Sequence, residues 1–165
     1  MIGSTGSGKT TFARALAQLL GVPHIELDAL FWQPGWVMTD PDELREKVAA
    51  AIACEGWVVD GNYSSRLGTL VLEQVDQIVW LDLPLRTTFR RLLRRTLRRL
   101  RTREPLWEGN KESFRNAFLS RDSILLFALK TYRRGRRARA ELVADYPHVR
   151  LRSAQEIARY LEEVA

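Results

Sequence analysis

Eight residues near the start of the chain constrain it more than any other feature. Gly3-Ser4-Thr5-Gly6-Ser7-Gly8-Lys9-Thr10 fits G-x-x-x-x-G-K-[ST] at every fixed position. Glycines let the backbone curl until successive N–H groups point into one concavity, and a helix that follows adds its own free N-terminal donors. Such a nest holds phosphate oxygens. The pattern gives Lys9 to the β and γ phosphates of ATP and the Thr10 hydroxyl to Mg²⁺. Gly3 through Thr11 form the nucleotide-binding run.

The context required of this loop is half visible. Thr10 to Leu20 reads as a helix with Phe12, Ala15, Leu16, Leu19 and Leu20 on one face, stopped by Gly21. The strand that should precede the loop is represented by Ile2 alone. About five further residues at ~3.3 Å each would complete a central strand. The reading therefore expects a start assigned too late or a shortened chain.

Further along, short apolar runs alternate with helical patterns. His24–Leu27 reads as a strand ending at Asp28, and Phe31–Trp36 as an aromatic turn region. Pro41–Cys54 reads as a helix with Asp40 as N-cap and Gly56 as its end. Trp57–Asp60 and Gln77–Leu83 read as strands, the second apolar enough for a buried parallel one. Pro84 opens a long helix to about Arg101, and Glu104–Asn110 reads as a loop. Helices follow over Lys111–Leu119, Asp122–Arg134 and, after an interruption at Gly135, Arg136–Asp145. Pro147–Leu151 is a last strand, and Ser153-Ala154-Gln155-Glu156 is a capping box. The alternation predicts an α/β fold: three layers, α/β/α, around a parallel sheet whose first strand is largely missing.

Composition narrows the class. A chain of 165 residues with 45% hydrophobic and 28% charged residues is one domain's worth of ordinary globular protein, which excludes wholesale disorder. No apolar run approaches the ~20 residues of a membrane span, and no signal peptide opens the chain. One cysteine, Cys54, excludes an internal disulfide framework and is expected to be a small core residue. These features point to the cytoplasm.

Acidic residues at strand ends are the candidate chemical groups, because open α/β sheets bind ligands at that edge. Asp60 is placed to position Mg²⁺, directly or through water. Asp28 is placed to bind an acceptor or act as its base. Asp82 reads as a structural cap. Lone His24 and His148 read as structural.

The net charge is +6, and residues 86–103 hold nine arginines and no acid. Arg90/Arg91, Arg94/Arg95 and Arg98/Arg99 set a cationic stripe along one side of a helix whose apolar side is Leu92, Leu93, Leu97 and Leu100. Like charges at this density repel, so something anionic should occupy part of the stripe. It is either ATP with its transferring phosphoryl group or a nucleic-acid backbone. Arg133-Arg134-Gly135-Arg136-Arg137 is expected to extend the same surface.

Taken together, these residues resemble the adenylate-kinase-related branch of P-loop kinases. Val58-Val59-Asp60-Gly61 resembles the strand-Asp-Gly of nucleoside monophosphate kinases, and Val79–Pro84 resembles their next core strand. The resemblance places Arg91 and Arg95, seven and eleven positions past Pro84, against ATP and the transferred phosphate. Glu26–Trp32, Pro34-Gly35-Trp36 and Val59–Tyr63 resemble a bacterial group of adenylate-kinase-like or "DNA topology modulation" (FlaR-type) proteins. Arg66 stands two residues beyond the arginine of the adenylate-kinase pattern and is a candidate grip on an acceptor. Trp32 and Trp36 occupy the region of the unmatched AMP-binding segment, to stack a ring or simply to pack. The stretch from Arg98 to Arg121 stands where a kinase lid would.

Three functions are compatible with these residues. The favoured one is an ATP- and Mg²⁺-dependent phosphotransferase acting on a small anionic or hydroxyl acceptor, with nucleotides among the candidates. The alternatives are an ATP-dependent nucleic-acid-binding protein that modulates DNA topology and a nucleotide-binding regulatory module without turnover. The sequence names neither the acceptor nor the oligomeric state.

Overall fold

The computed structural model describes residues 1–61, 63–110 and 123–165. In chain order the elements are β1 (Ile2–Gly3), α1 (Lys9–Leu20), β2 (His24–Glu26), α2 (Leu27–Phe31), β3 (Trp32–Gln33) and β4 (Val37–Met38). They continue with α3 (Pro41–Ala51), β5 (Val58–Asp60), α4 (Ser64–Leu67), β6 (Ile78–Leu81) and α5 (Leu85–Thr102). The last are α6 (Ile124–Val143), β7 (His148–Leu151) and α7 (Ala154–Val164). The predicted α/β architecture with parallel strands is observed.

The parallel strands form two ladders, β2-β5 and β1-β6-β7. Ile2 stands opposite Trp80 and Gly3 opposite Leu81, so β1 carries the phosphate loop directly off β6. The Met1 ammonium donates to the Val59 carbonyl at 2.7 Å and ties this ladder to β5.

Strand periodicity sorts the core into two faces. Val58, Val79, Leu81 and Leu151 pack against Phe12, Ala13, Leu16 and Ala17 of α1, with Ile157 and Leu161 of α7 beside them. Val59 turns the other way, toward Leu44 and Val48 of α3. Ile78 and Trp80 meet Val143 of α6. All four β6 residues are buried, as a strand covered on both faces requires.

Several element boundaries differ from the sequence reading. In α1 the buried line is Phe12, Ala13, Leu16 and Ala17, whereas Leu19 and Leu20 are exposed. Gly21 does cap it in the left-handed conformation. Helix α3 ends at Ala51, since Ile52 turns into the core, and Cys54 lies exposed in the turn that follows rather than in the core. Strand β2 stops at Glu26, so Asp28 sits in the first turn of α2. In α5 the buried line is Thr88, Leu92 and Thr96, and Leu97 is half exposed.

Gly135 does not interrupt α6. A helical glycine costs only ~1 kcal/mol relative to alanine, and the Arg139 guanidinium covers the position. The residue after it is held firmly. Arg136 donates to both Asp82 carboxylate oxygens at 2.8 Å, while Arg150 from β7 donates to Oδ2 at 2.6 Å and stacks over Trp80. Asp82 is thus an ion-pair hub joining β6, β7 and α6, not a cap, and Arg136 belongs to that hub rather than to a free basic surface. The capping box at Ser153 is present: its hydroxyl accepts from the Glu156 N–H, and Glu156 accepts from the Arg152 N–H. The proposed helix 111–119 lies outside the described residues.

Burial alone would raise the Asp82 pKa, but the hydrogen bonds from Arg136 and Arg150 outweigh it and hold the carboxyl below its usual range. Its stabilisation is therefore full above the unfolded carboxyl pKa of ~3.9 and fades as pH falls through the lower folded value. Asp82→Asn should cost roughly 2 kcal/mol at pH 7. The deficit should shrink below about pH 4, as read by urea unfolding across the pH range.

Candidate functional site

The loop between β1 and α1 is built by two constraints. Gly6 and Gly8 have φ of 80° and 93°, the left-handed region that glycine enters without penalty. At Gly6 a Cβ would also stand 2.4 Å from the Thr88 carbonyl and 3.0 Å from Leu92, so the loop lies directly on α5. Arg91, one helical step away, donates from Nη1 to the Ser7 carbonyl at 3.1 Å. Helix α5 therefore both supports the loop and lays a cation along it. Gly3 is buried, and Ser4 accepts from the Ser7 N–H at 3.1 Å. The Ser7 Oγ is buried with no hydrogen-bond partner among the described residues.

Lys9 begins α1 and folds back, its Nζ donating to the carbonyls of Gly3 (3.2 Å) and Ser4 (3.3 Å). Burial pushes its ammonium down to about 8 against the pull of the Asp60 and Asp28 carboxylates, with Arg139 and Arg95 adding to the downward push. These couplings bring five sequence-predicted groups together: the loop, Lys9, Asp28, Asp60 and Arg95. Thr10 and Thr11 follow in the first turn of α1.

Asp60 is 2% exposed, and its Oδ2 accepts no hydrogen bond among the described residues; His24 Nε2 stands 3.5 Å from it. A buried carboxylate oxygen with capacity to spare, at the strand end beside the phosphate loop, fits a hydrated divalent cation. Among the described residues no group of three His, Cys, Asp or Glu forms a metal cage. A Mg²⁺ here would be held by Thr10, phosphate oxygens and waters that Asp60 orders.

Asp28 accepts the Tyr63 hydroxyl proton in a short hydrogen bond. Burial, then the Asp28 charge and that hydrogen bond, raise the Tyr63 pKa, so the phenol stays a donor. Arg66 places its guanidinium 4.8 Å from the centre of the Phe31 ring, with Nη2 on the Met38 sulfur. Trp32 meets Phe31 and Trp36 edge-on, and Trp36 meets Trp107 in the same way. Asn110, 5% exposed, accepts from the Trp36 N–H and donates to the Gln33 carbonyl, fastening the β3–β4 hairpin to the segment after α5.

Sequence reasoning missed four members of this neighbourhood: Glu26, Tyr63, Trp107 and Asn110. Glu26 is half-buried, and its pKa is raised by burial and by the charges of Asp60 and Asp28, against a hydrogen bond from Trp107. Its position two residues before Asp28, at the end of β2, was a usable signal. Tyr63 lies three residues past Asp60, inside the Val59–Tyr63 motif, which was a usable signal too, whereas Trp107 and Asn110 arrive from a distant loop that no local pattern marks. Of the lid-like stretch, 98–102 belongs to α5, while 111–121 lies outside the described residues.

Comparison with known proteins bears on this geometry. The family model for "ATPase family associated with various cellular activities (AAA)" matches residues 1–80. Over 55 residues the chain is 47% identical to the ATP-dependent protease ATPase subunit HslU of Rhodopseudomonas palustris, covering 32% of this chain and 13% of that protein. Over 57 residues it is 44% identical to shikimate kinase 2 of Yersinia enterocolitica, covering 34% of this chain and 28% of that one. The chain thus spans only 13% and 28% of these curated relatives. A solved gluconokinase from Sinorhizobium meliloti 1021 superposes with a TM-score of 0.54 at 22% identity, covering 99% of this chain and 86% of that one. The fold is shared along nearly the whole chain with that kinase structure. No helix among the described residues is long and apolar enough to cross a membrane.

The depressed Lys9 pKa has a stability consequence. Between about pH 8 and the ordinary lysine value of 10.5 the unfolded chain binds the Lys9 proton and the folded chain does not, so stability rises with pH there. Below pH 8 the buried charge carries its full cost. Lys9→Met should therefore raise Tm by several degrees at pH 7. The gap to the parent protein should narrow toward pH 10, as read by thermal scans of both.

Proposed function

We propose that this chain is a Mg·ATP-dependent kinase of the P-loop type, moving the γ-phosphoryl group of ATP to a small hydroxyl-bearing or anionic acceptor. The observation that carries this reading is the convergence of Arg91, the loop backbone and Lys9 on one side, with Asp28 and Asp60 inside the field of Lys9 on the other. Positive charge lies where phosphate oxygens would sit, and a carboxylate lies where an acceptor proton would leave. The adenylate-kinase resemblance, the shikimate kinase match and the gluconokinase fold support the same reaction class.

In this reading the loop from Gly3 to Thr11 binds the ATP phosphates. Thr10 and Asp60 would hold a Mg²⁺, which would supply charge neutralisation to the phosphates. Asp28, oriented by Tyr63, accepts the acceptor's hydroxyl proton as its oxygen bonds to the γ-phosphorus. The bond from that phosphorus to the bridging oxygen breaks, and ADP leaves with the electron pair. Lys9, Arg91 and Arg95 stabilise the charge that develops. Trp32 and Arg66 line the acceptor side.

A nucleic-acid reading keeps one observation in its favour: Arg86, Arg90, Arg94, Arg98 and Arg101 of α5 are exposed. Steep salt dependence of DNA binding would support it.

The test is ADP release from Mg·ATP across a panel of nucleoside monophosphates, sugar acids and shikimate. One acceptor should stimulate release strongly. Lys9→Ala should abolish it, and Arg91→Ala should lower kcat by about 10²- to 10³-fold. ATP binding without stimulation by any acceptor contradicts the kinase reading.

A further inference from the structure

The aromatic side chains beside Asp28 close into a ring of contacts. Asp28 accepts from Tyr63, Tyr63 packs on Phe31 with ring centres 4.7 Å apart, and Phe31 meets Trp32 edge-on at the same separation. Trp32 meets Trp36 at 5.4 Å, Trp36 meets Trp107 at 6.3 Å, and the Trp107 indole donates to Glu26. Glu26 feels the Asp28 charge, which brings the path back to its start. Every member except Phe31 is half-buried, so the ring offers surface as well as packing.

The outer corner of the ring is held at a cost. Trp36 has a φ of 62°, and Glu108, next to Trp107, has a φ of 54°, a region that side chains rarely adopt. The buried Asn110 side chain fixes the two loops together, accepting from the Trp36 N–H and donating to the Gln33 carbonyl, each at 2.9 Å. Strained backbone under half-buried indoles serves a fixed shape better than it serves packing.

Shape and charge together select the group that fits. Trp36 stands at 82° to Trp32 and 80° to Trp107, so the indoles meet as walls of a corner, not as parallel plates. A flat base stacks best between parallel plates, whereas a compact cation is held by ring faces set at angles. The carboxylates supply the matching sign. Burial, then the charges of Asp60 and Asp28, push the Glu26 pKa up, and a cation beside it would relieve that repulsion. The cluster already carries one cation on a ring, the Arg66 guanidinium 4.8 Å from the Phe31 centre.

We propose that the corner made by Trp32, Trp36 and Trp107 with Glu26 is a site for an alkylammonium group. On the phosphotransfer reading, on which this second step rests, the acceptor is a short hydroxyl-bearing amine, primary or quaternary. Its nitrogen sits in the corner and its hydroxyl reaches Asp28. The hydroxyl oxygen bonds to the γ-phosphorus, its proton passes to Asp28, and ADP leaves with the electron pair of the broken bond. Glu26 and Asp28 are two residues apart, about 7 Å between Cα atoms at most, which suits a few carbons between nitrogen and oxygen.

The first test is titration with tetramethylammonium, followed through the indole N–H resonances of isotope-labelled protein. Saturable shifts at Trp32, Trp36 and Trp107 are expected, and Glu26→Gln and Trp32→Leu should each weaken binding at least about fivefold. Glu26→Gln keeps an acceptor for the Trp107 indole, so its effect does not depend on a disturbed loop. No shift with the cation, or shifts with adenosine monophosphate and none with the cation, overturn the proposal. The second test is ADP release from Mg·ATP. Choline and ethanolamine should stimulate it, and tert-butylethanol, the neutral carbon isostere of choline, should not. Stimulation by a neutral or anionic acceptor with both amines inert overturns the amine assignment and leaves the kinase reading standing. Cation binding with no acceptor stimulating release contradicts the kinase reading and leaves the ammonium site standing.

Discussion

The phosphate loop rests on α5 at a point where a single methyl group would not fit. Gly6 meets the Thr88 carbonyl and Leu92, and Arg91 bonds Ser7 from the same helix surface. This contact fixes more than the loop. It sets where β1 can pair with β6, how α5 descends from the sheet, and which of its eight arginines faces the nucleotide site. Steric fit at Gly6 and the hydrogen bond from the Arg91 guanidinium to the Ser7 carbonyl hold this strongly positive helix against the loop.

The charged groups divide into those that stabilise and those that cost stability. Asp82 with Arg136 and Arg150 is a satisfied hub, and its hydrogen bonds outweigh its burial. Lys9, Glu26 and Asp60 are different. Lys9 and Glu26 have pKa values shifted against their charged forms, and Asp60 keeps an oxygen without a hydrogen bond among the described residues. Concentration of such groups in one cleft is the usual signature of a site arranged for a ligand rather than for stability.

Much of this was legible in the sequence. The loop announced itself because its glycines answer a backbone requirement, and a backbone requirement leaves a fixed spacing. Buried parallel strands were readable at Val58–Asp60 and Ile78–Leu81 because both faces are covered, and Asp40, Gly21 and Ser153 were readable caps. What failed depended on tertiary partners. Gly135 reads as a breaker until Asp82 anchors the next residue. Leu19 and Leu97 read as core, and both lie exposed. Cys54 reads as buried until α3 ends early. Trp107 and Asn110 reach the site through a loop after α5, so spacing could not link them to Glu26 and the β3–β4 hairpin, and the pairing of Tyr63 with Asp28 needed the strand order.

The central claim is that one surface, made by the loop, Lys9 and the facing side of α5, receives nucleotide phosphates. Hydrogen–deuterium exchange with and without Mg·ATP tests it most directly. The account predicts protection concentrated in residues 3–11 and in the part of α5 around Thr88–Thr96, with α3, β7 and α7 unchanged. Protection confined to the outer arginine face of α5, or no change at the loop at saturating Mg·ATP, would contradict it.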